Sequence, residues 1–365
     1  MAELPELKGS ALLELLNRGG ARRVLQQPTP DLGYADSLPF PFLAMVGQNE
    51  MRFALLIAVI NPSVGGVLFI GPRGVGKTTC VRSLISILPE VPHPIEDVPL
   101  EEMDPENPPP LQWDRVKLIE LPLNARLEDV VGGVNERIAL QQQKIRLERG
   151  ILARADQNVL YIDEINLLED DITNAIIDAS AQGSYSVRRG AMVGTFRSRF
   201  IMVGSMNPEE GRLRPQIMDR FGLRVIVRGL TDVEDRIEVY KRVRAYRQNP
   251  EAFLKEWAEA TAVVRDEIGL AQELLKEADI SDEAMKVGIQ LVQSLDIESS
   301  RAEFTLFEAA RAHAAADGRD VAEVSDIRFV APMALRLRRS EFMTNYLDNQ
   351  HQEDEQIREI LTELQ

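Results

Sequence analysis

Residues 71–78 read Gly-Pro-Arg-Gly-Val-Gly-Lys-Thr and follow directly on the apolar run Val67-Leu68-Phe69-Ile70. A complete G-x-x-x-x-G-K-[ST] spelling behind a short apolar run predicts a strand that enters a phosphate-binding loop, and no other stretch constrains the fold as much. A triphosphate needs backbone N–H groups turned toward it and a chain that can pass close by. Gly71 and Gly76 permit both, because neither carries a Cβ. Lys77 supplies a point charge for the β- and γ-phosphates, and Thr78 a hydroxyl for a magnesium ion. The helix that starts here, carrying Cys80, Val81, Leu84 and Ile87, turns its positive end toward the anion. The expected nucleotide-binding segment is therefore Gly71, Pro72, Arg73, Gly74, Val75, Gly76, Lys77, Thr78 and Thr79.

Around this loop the sequence alternates apolar runs and helical patterns. Strands are expected at 67–70, 117–121, 158–162, 200–204 and 223–227, and helices at 48–59, 77–87, 136–155 and 170–182. That alternation implies an α/β fold with a mostly parallel sheet sandwiched by helices. Residues 89–110 hold eight prolines and many acids and predict an irregular, exposed connection. Residues 184–199 predict a hairpin that turns near Arg189-Gly190. Beyond about residue 231 strand signals fade, and helical patterns run through 231–247, 250–276, 281–295, 301–316 and 323–338. The expected organisation is an N-terminal arm (1–40), an α/β nucleotide-binding domain (41–230), a linker helix (231–250), an all-helical C-terminal domain (251–340) and an acidic tail (341–365).

Three further segments carry chemistry. Val159-Leu160-Tyr161-Ile162 ends in Asp163-Glu164. An Asp at the carboxyl end of such a strand lies beside the phosphate loop and can hold the magnesium shell, while the next carboxylate can polarise a water; the plainer alternative is two solvated acids at a strand end. Ile201-Met202-Val203-Gly204-Ser205-Met206 ends in Asn207, which can reach the γ-phosphate or simply form the turn Asn207-Pro208. Arg220 precedes the last apolar strand; it is a candidate cation for the charge that builds on the γ-phosphate, with a salt bridge to Asp219 as the alternative. Arg301 opens a helix in the second domain, where it can fold over the nucleotide or stay solvated.

Composition sets bounds. A formal net charge of −16 argues against a surface that tracks nucleic acid, and no apolar stretch reaches the length of a membrane span. One cysteine excludes an intramolecular disulfide, and His93, His313 and His351 have no metal-ligand spacing. The N-terminus lacks the order of a secretory signal, so a cytoplasmic location is expected.

Together these residues resemble the AAA+ superfamily, and Val46-Gly47-Gln48 precedes the loop as in the segment that cups adenine there. The runs 163–168, 204–211 and 213–222 resemble the ATPase subunit of magnesium chelatase, as do Leu121-Pro122-Leu123-Asn124-Ala125 and Arg149-Gly150-Ile151-Leu152-Ala153-Arg154-Ala155. The resemblance implies ATP and Mg²⁺ as cofactors, with Thr78 and Asp163 on the metal and Glu164 as base. It also implies Asn207 as first sensor, Arg220 as a finger reaching a neighbouring subunit, and Arg301 as second sensor. It further implies a homo-oligomeric, hexameric ring whose helix-2 and hairpin inserts meet two other chelatase subunits. The expected function is the ATP-hydrolysing motor for Mg²⁺ insertion into protoporphyrin IX in (bacterio)chlorophyll biosynthesis. The rival is a chelatase-like or MoxR-like ATPase that remodels another metal-binding protein, and a DNA-acting AAA+ protein is disfavoured by the charge. The arm and the Ala-Arg-Leu-Glu-Asp spelling at 125–129 depart from the family on surfaces that would meet partners.

Overall fold

The computed structural model describes residues 39–94, 110–133, 147, 149–189, 192–211 and 213–339. The expected arm up to residue 38, the first part of the 136–155 helix, the hairpin tip at Gly190 and the acidic tail lie outside the described residues.

Eleven strands are formed among the described residues. In chain order they are β1 (Val67–Ile70), β2 (Glu90–Pro94), β3 (Leu111–Arg115), β4 (Leu118–Leu121), β5 (Val159–Ile162), β6 (Ser184–Arg189), β7 (Met192–Arg197), β8 (Ile201–Met206), β9 (Leu223–Ile226), β10 (Asp279–Ile280) and β11 (Val321–Ala322). The helices of eight or more residues are α1 (Asn49–Ile60), α2 (Lys77–Leu84), α3 (Asp170–Gln182), α4 (Val233–Gln248), α5 (Pro250–Leu275), α6 (Asp282–Ser294), α7 (Ser300–Ala316) and α8 (Val324–Leu335).

β4, β5, β8, β1 and β9 form one parallel sheet in that spatial order. Its strands are short and apolar because both faces are covered. Alternate residues serve alternate faces. Val67, Phe69, Val159, Tyr161, Val203, Leu223 and Val225 pack with α1, α2 and the helices of the C-terminal part, including Ile268, Leu306 and Val330. Leu68, Ile70, Leu160, Ile162, Met202 and Met206 pack instead with Leu152, Ile172, Ile176 and Phe221. The helical part thus shares one continuous apolar core with one face of the sheet.

Three expectations need correction. Of the helix expected at 136–155, only Ile151–Arg154 is helical among the described residues, because the chain enters it through extended Gly150. The connection at 89–110 is not wholly irregular: β2 pairs antiparallel with β3, His93 opposite Gln112 and Glu90 opposite Arg115. Pro92 and Pro94 are tolerated because the ladder has only two strands, so each has an unpaired side where a missing N–H does no harm. Strand structure also recurs after residue 231, as the two-residue parallel ladder of β10 and β11 within the helices. The hairpin of β6 and β7 pairs as expected, with Arg189 opposite Met192.

Helix ends follow side-chain chemistry. Asp232 accepts from the N–H groups of Glu234 and Asp235 at 2.8 and 3.1 Å and starts α4. Asn249 caps α5 through Ala252 N–H at 3.1 Å, with Pro250 in the first turn. The last expected helix stops at Leu335, where Arg336 turns to extended backbone. Arg336 then bonds Glu50 Oε1 on α1 at 2.6 Å and fastens the end of the helical part to the sheet domain.

Candidate active site

The parallel register sorts the chemistry to two opposite edges of the sheet. At the carboxyl edge, β1 runs into the phosphate loop, β5 into Asp163-Glu164 and β8 into Asn207. Ile70 lies level with Met206, whose carbonyl accepts from Gly71 N–H at 3.1 Å. Parallel strands of an α/β sheet present ligands at this edge, where helix N-termini also gather.

The loop needs its glycines for two different reasons. Gly76 caps α2 with φ +91°, a conformation that residues with a Cβ rarely adopt. Gly71 is needed for space: a Cβ there would stand 2.2 Å from the carbonyl oxygen of Val227, which follows β9. Gly71→Ala should therefore push β1 and β9 apart and cost roughly 2–3 kcal/mol or more, seen as a lowered urea midpoint with unchanged slope.

Lys77 is 8% exposed, and its ammonium donates to the loop carbonyls of Gly71 and Pro72, the latter at 2.9 Å. Burial lowers its pKa below the ordinary lysine value, while Asp163, Glu164 and Glu210 pull the other way. Thr78 Oγ1 lies 3.3 Å from Asp163 Oδ2 and 3.1 Å from the Tyr161 hydroxyl. Asp163 Oδ1 accepts from Tyr161 at 2.9 Å and from Ser205 Oγ. Burial pushes the Tyr161 hydroxyl well above the ordinary phenol range, so it remains a donor to the carboxylate. A hydroxyl and a carboxylate oxygen beside a buried ammonium form a hard oxygen donor set, the kind that suits Mg²⁺ carried by phosphate oxygens.

Glu164 adopts φ +52°, a left-handed backbone unusual for glutamate, and its N–H donates to Ser205 Oγ at 3.1 Å. Its side chain points to the loop, where Arg73 donates to Oε1 through Nε at 3.0 Å and Nη2 at 2.9 Å. The same Nη2 lies 2.8 Å from Glu210 Oε1. Asn207 is buried, and its Oδ1 accepts from Glu209 N–H at 3.3 Å.

Beside the loop opens a cleft of about 510 Å³ lined by Met45, Val46, Gln48, Val75, Thr79, Leu230, Arg236, Val239 and Val243, among others. It is mostly apolar with charged groups at one side, and a purine base fits such a lining. Of the expected adenine-cupping segment, Val46 and Gln48 line it directly, and Gln48 Nε2 donates to Arg228 O at 2.7 Å. Gly47 packs on Leu230, whose Cδ2 would lie 2.6 Å from an added Cβ.

Arg220 and Arg301 are not brought to this edge. Leu223 lies level with Val67, and the carbonyl of Arg220 lies 3.3 Å from the place a Cβ would take on Gly65. Both therefore belong to the amino edge of the sheet, about 13 Å along β1 from the loop at ~3.3 Å per residue. Arg301 donates to Asp219 Oδ2 at 2.9 Å and does not lie over its own chain's phosphate loop. The other oxygen, Oδ1, takes the fully buried Arg338 at 3.0 Å, with Arg224 at 3.7 Å. Burial and the neighbouring Arg338 lower the Arg224 pKa to about 9, against the pull of Asp219. Asp219 is thus surrounded by other arginines. The Arg220 side chain, half-buried, makes no hydrogen bond or ion pair among the described residues, so the expected alternative of an Asp219–Arg220 bridge does not form.

Tyr161, Ser205, Arg73's hold on Glu164 and the α4 wall of the cleft escape a reading of the sequence. Polar residues inside the apolar runs of β5 and β8, and the spacing of Arg236, Val239 and Val243, are the signals that could have found them.

Similarity to known proteins points the same way. The family described as magnesium chelatase, subunit ChlI, matches residues 42–216, and an AAA lid domain matches 288–360. A magnesium-chelatase subunit ChlI homolog of Methanocaldococcus jannaschii is 40% identical over an alignment of 317 positions that covers 83% of this chain and 87% of that protein. The magnesium-chelatase 38 kDa subunit of Cereibacter sphaeroides is 40% identical, covering 82% of this chain and 93% of that protein. A crystal structure of a candidate ATPase from Cytophaga hutchinsonii, 21% identical, superposes with a TM-score of 0.55 over 81% of this chain and 83% of that one, which places the fold.

Proposed function

The chain belongs to the magnesium chelatase subunit ChlI family, and from that premise we propose that it is the ATP-hydrolysing motor subunit of a magnesium chelatase. It would drive insertion of Mg²⁺ into protoporphyrin IX by partner subunits, on the way to a (bacterio)chlorophyll. The observation that carries this reading is the convergence of Lys77, Thr78, Asp163, Glu164 and Asn207 at the carboxyl edge, beside a cleft fit for a base.

In the proposed reaction the loop N–H groups and Lys77 bind the β- and γ-phosphates of ATP. Thr78 Oγ1 and Asp163 Oδ2 would hold Mg²⁺, which when bound neutralises charge on the phosphate oxygens. Tyr161 and Ser205 keep the Asp163 carboxylate oriented. Glu164 accepts a proton from water as its oxygen attacks the γ-phosphorus, and the bond to the bridging oxygen breaks with its electron pair leaving on ADP. Asn207 sits at the end of the strand between β5 and β1 and supplies a donor for the γ-phosphate or the water.

Arg220 and Arg301 lie at the other edge, so we assign them to the nucleotide of a neighbouring copy. A head-to-tail contact that joins the amino edge of one copy to the carboxyl edge of the next closes into a ring, for which a hexamer is the proposed size. Among the described residues no helix is long and apolar enough to cross a membrane, and no group of three or more His, Cys, Asp or Glu is arranged to hold a metal ion. We assign porphyrin binding and insertion to two partner subunits.

Reconstitution tests the proposal: this chain, two chelatase partner subunits, protoporphyrin IX, Mg²⁺ and ATP should give ATP-dependent Mg-porphyrin, read by its absorption. Healthy ATPase activity without Mg-porphyrin would replace it with the reading of an ATPase that remodels another metal-binding protein.

A further inference from the structure

We propose that Glu210 is a positioning residue for ATP hydrolysis, which takes the Arg73 guanidinium off Glu164 and so frees the carboxylate that meets the attacking water. This rests on the assignment of Glu164 as the base.

The contacts are unevenly shared. A guanidinium facing a carboxylate ordinarily forms two parallel N–H···O bonds, one to each oxygen. Here Nε and Nη2 of Arg73 both converge on a single oxygen of Glu164, at 3.0 and 2.9 Å. Nη2 is divided further, lying 2.8 Å from Glu210 Oε1. The second oxygen of Glu210 is enclosed and has no hydrogen-bond partner. A buried carboxylate oxygen without a donor costs free energy, and a shift of Arg73 from Glu164 onto both oxygens of Glu210 would satisfy it. The arrangement is therefore poised between two acceptors, with the vacant one close to the donor.

The backbone makes one partner movable and the others fixed. Arg73 is carried by the phosphate loop, and its side chain is 68% exposed. Glu164 follows β5 and is pinned through its N–H to Ser205. Glu210 ends the short turn Pro208–Glu210, which Asn207 caps and whose Glu210 N–H bonds Asn207 O at 3.1 Å. The donor thus belongs to the loop that engages the triphosphate, and the receiving carboxylate is tied to the residue at the end of β8. While Arg73 holds Glu164, the paired charge lowers the basicity of the carboxylate and fixes it toward the loop. The exchange then speeds hydrolysis, and Glu210 is what makes it favourable.

A double-mutant cycle on the full chain tests this through steady-state kinetics with Mg-ATP. Glu210→Gln keeps the shape but weakens the receiving site, and should lower kcat about tenfold with KM for ATP changed less than threefold. In an Arg73→Gln background the same Glu210→Gln change should lower kcat less than twofold, because nothing remains to be taken off Glu164. A Glu210 that merely shapes the turn would cost the same factor in both backgrounds, and that equality, or a wild-type kcat for Glu210→Gln alone, overturns the proposal. Glu164→Gln, measured alongside, separates the two readings: if it turns over ATP at the wild-type rate, the base assignment itself is wrong.

Discussion

Replacing Glu164 with Gln is expected to lower ATP turnover by ~10²–10⁴-fold while ATP still binds. The amide is nearly isosteric but cannot accept the proton that the attacking water releases. The groups proposed to bind the phosphates lie elsewhere, on Lys77, Thr78 and the loop N–H groups. The bond that holds residue 164 in place runs from its backbone N–H to Ser205, so the substitution leaves the backbone where it is. Phosphate release and equilibrium binding of ATP, measured on the same preparation, check both halves. Turnover within a few-fold of wild type would remove Glu164 from the chemistry.

Arg220→Ala should cost about 10³-fold in turnover, again with ATP binding retained. The physical reason is placement. Asp219, the nearest carboxylate in sequence, is already taken by Arg301 and Arg338, so the Arg220 guanidinium is left without an internal partner among the described residues. A half-buried cation without an internal counter-charge is stabilised by an anion brought to it from outside. Its position at the amino edge puts the phosphate loop of its own chain out of reach. In equimolar co-assembled mixtures with wild type, half of all intact loops face a neighbour lacking the arginine, so turnover per total chain should be roughly half that of wild type, with half of the working sites on variant loops.

Much of this site is legible in the sequence because its signals are local. The loop spelling at 71–78, the paired acids after Val159–Ile162 and the Asn after Ile201–Met206 each sit at the end of an apolar strand, and strand order brings the ends together. Contacts between distant segments are not legible. Nothing in the spelling of Arg301 or Arg338 says that both converge on Asp219 from 82 and 119 residues away. The same holds for Arg73, which reads as one loop residue among nine until Glu164 and Glu210 are seen on either side of it. The β2–β3 ladder was hidden by prolines, which disfavour a central strand but not a two-stranded ladder. Helix α4 carries few buried side chains and no marked apolar stripe, so its role as a wall of the cleft comes from where the chain places it.

The central claim is that each ATP site is completed by a second copy of the chain, and mixing two inactive variants tests it most directly. Lys77→Ala removes the phosphate-binding charge but keeps Arg220, while Arg220→Ala keeps the loop but lacks the finger. Each alone should be inactive. When the two are mixed in equal amounts and allowed to co-assemble, roughly one interface in four joins an intact loop to an intact arginine. ATP turnover should reappear to about that fraction of wild type. A mixture that co-assembles yet stays as inactive as its components would contradict a shared site.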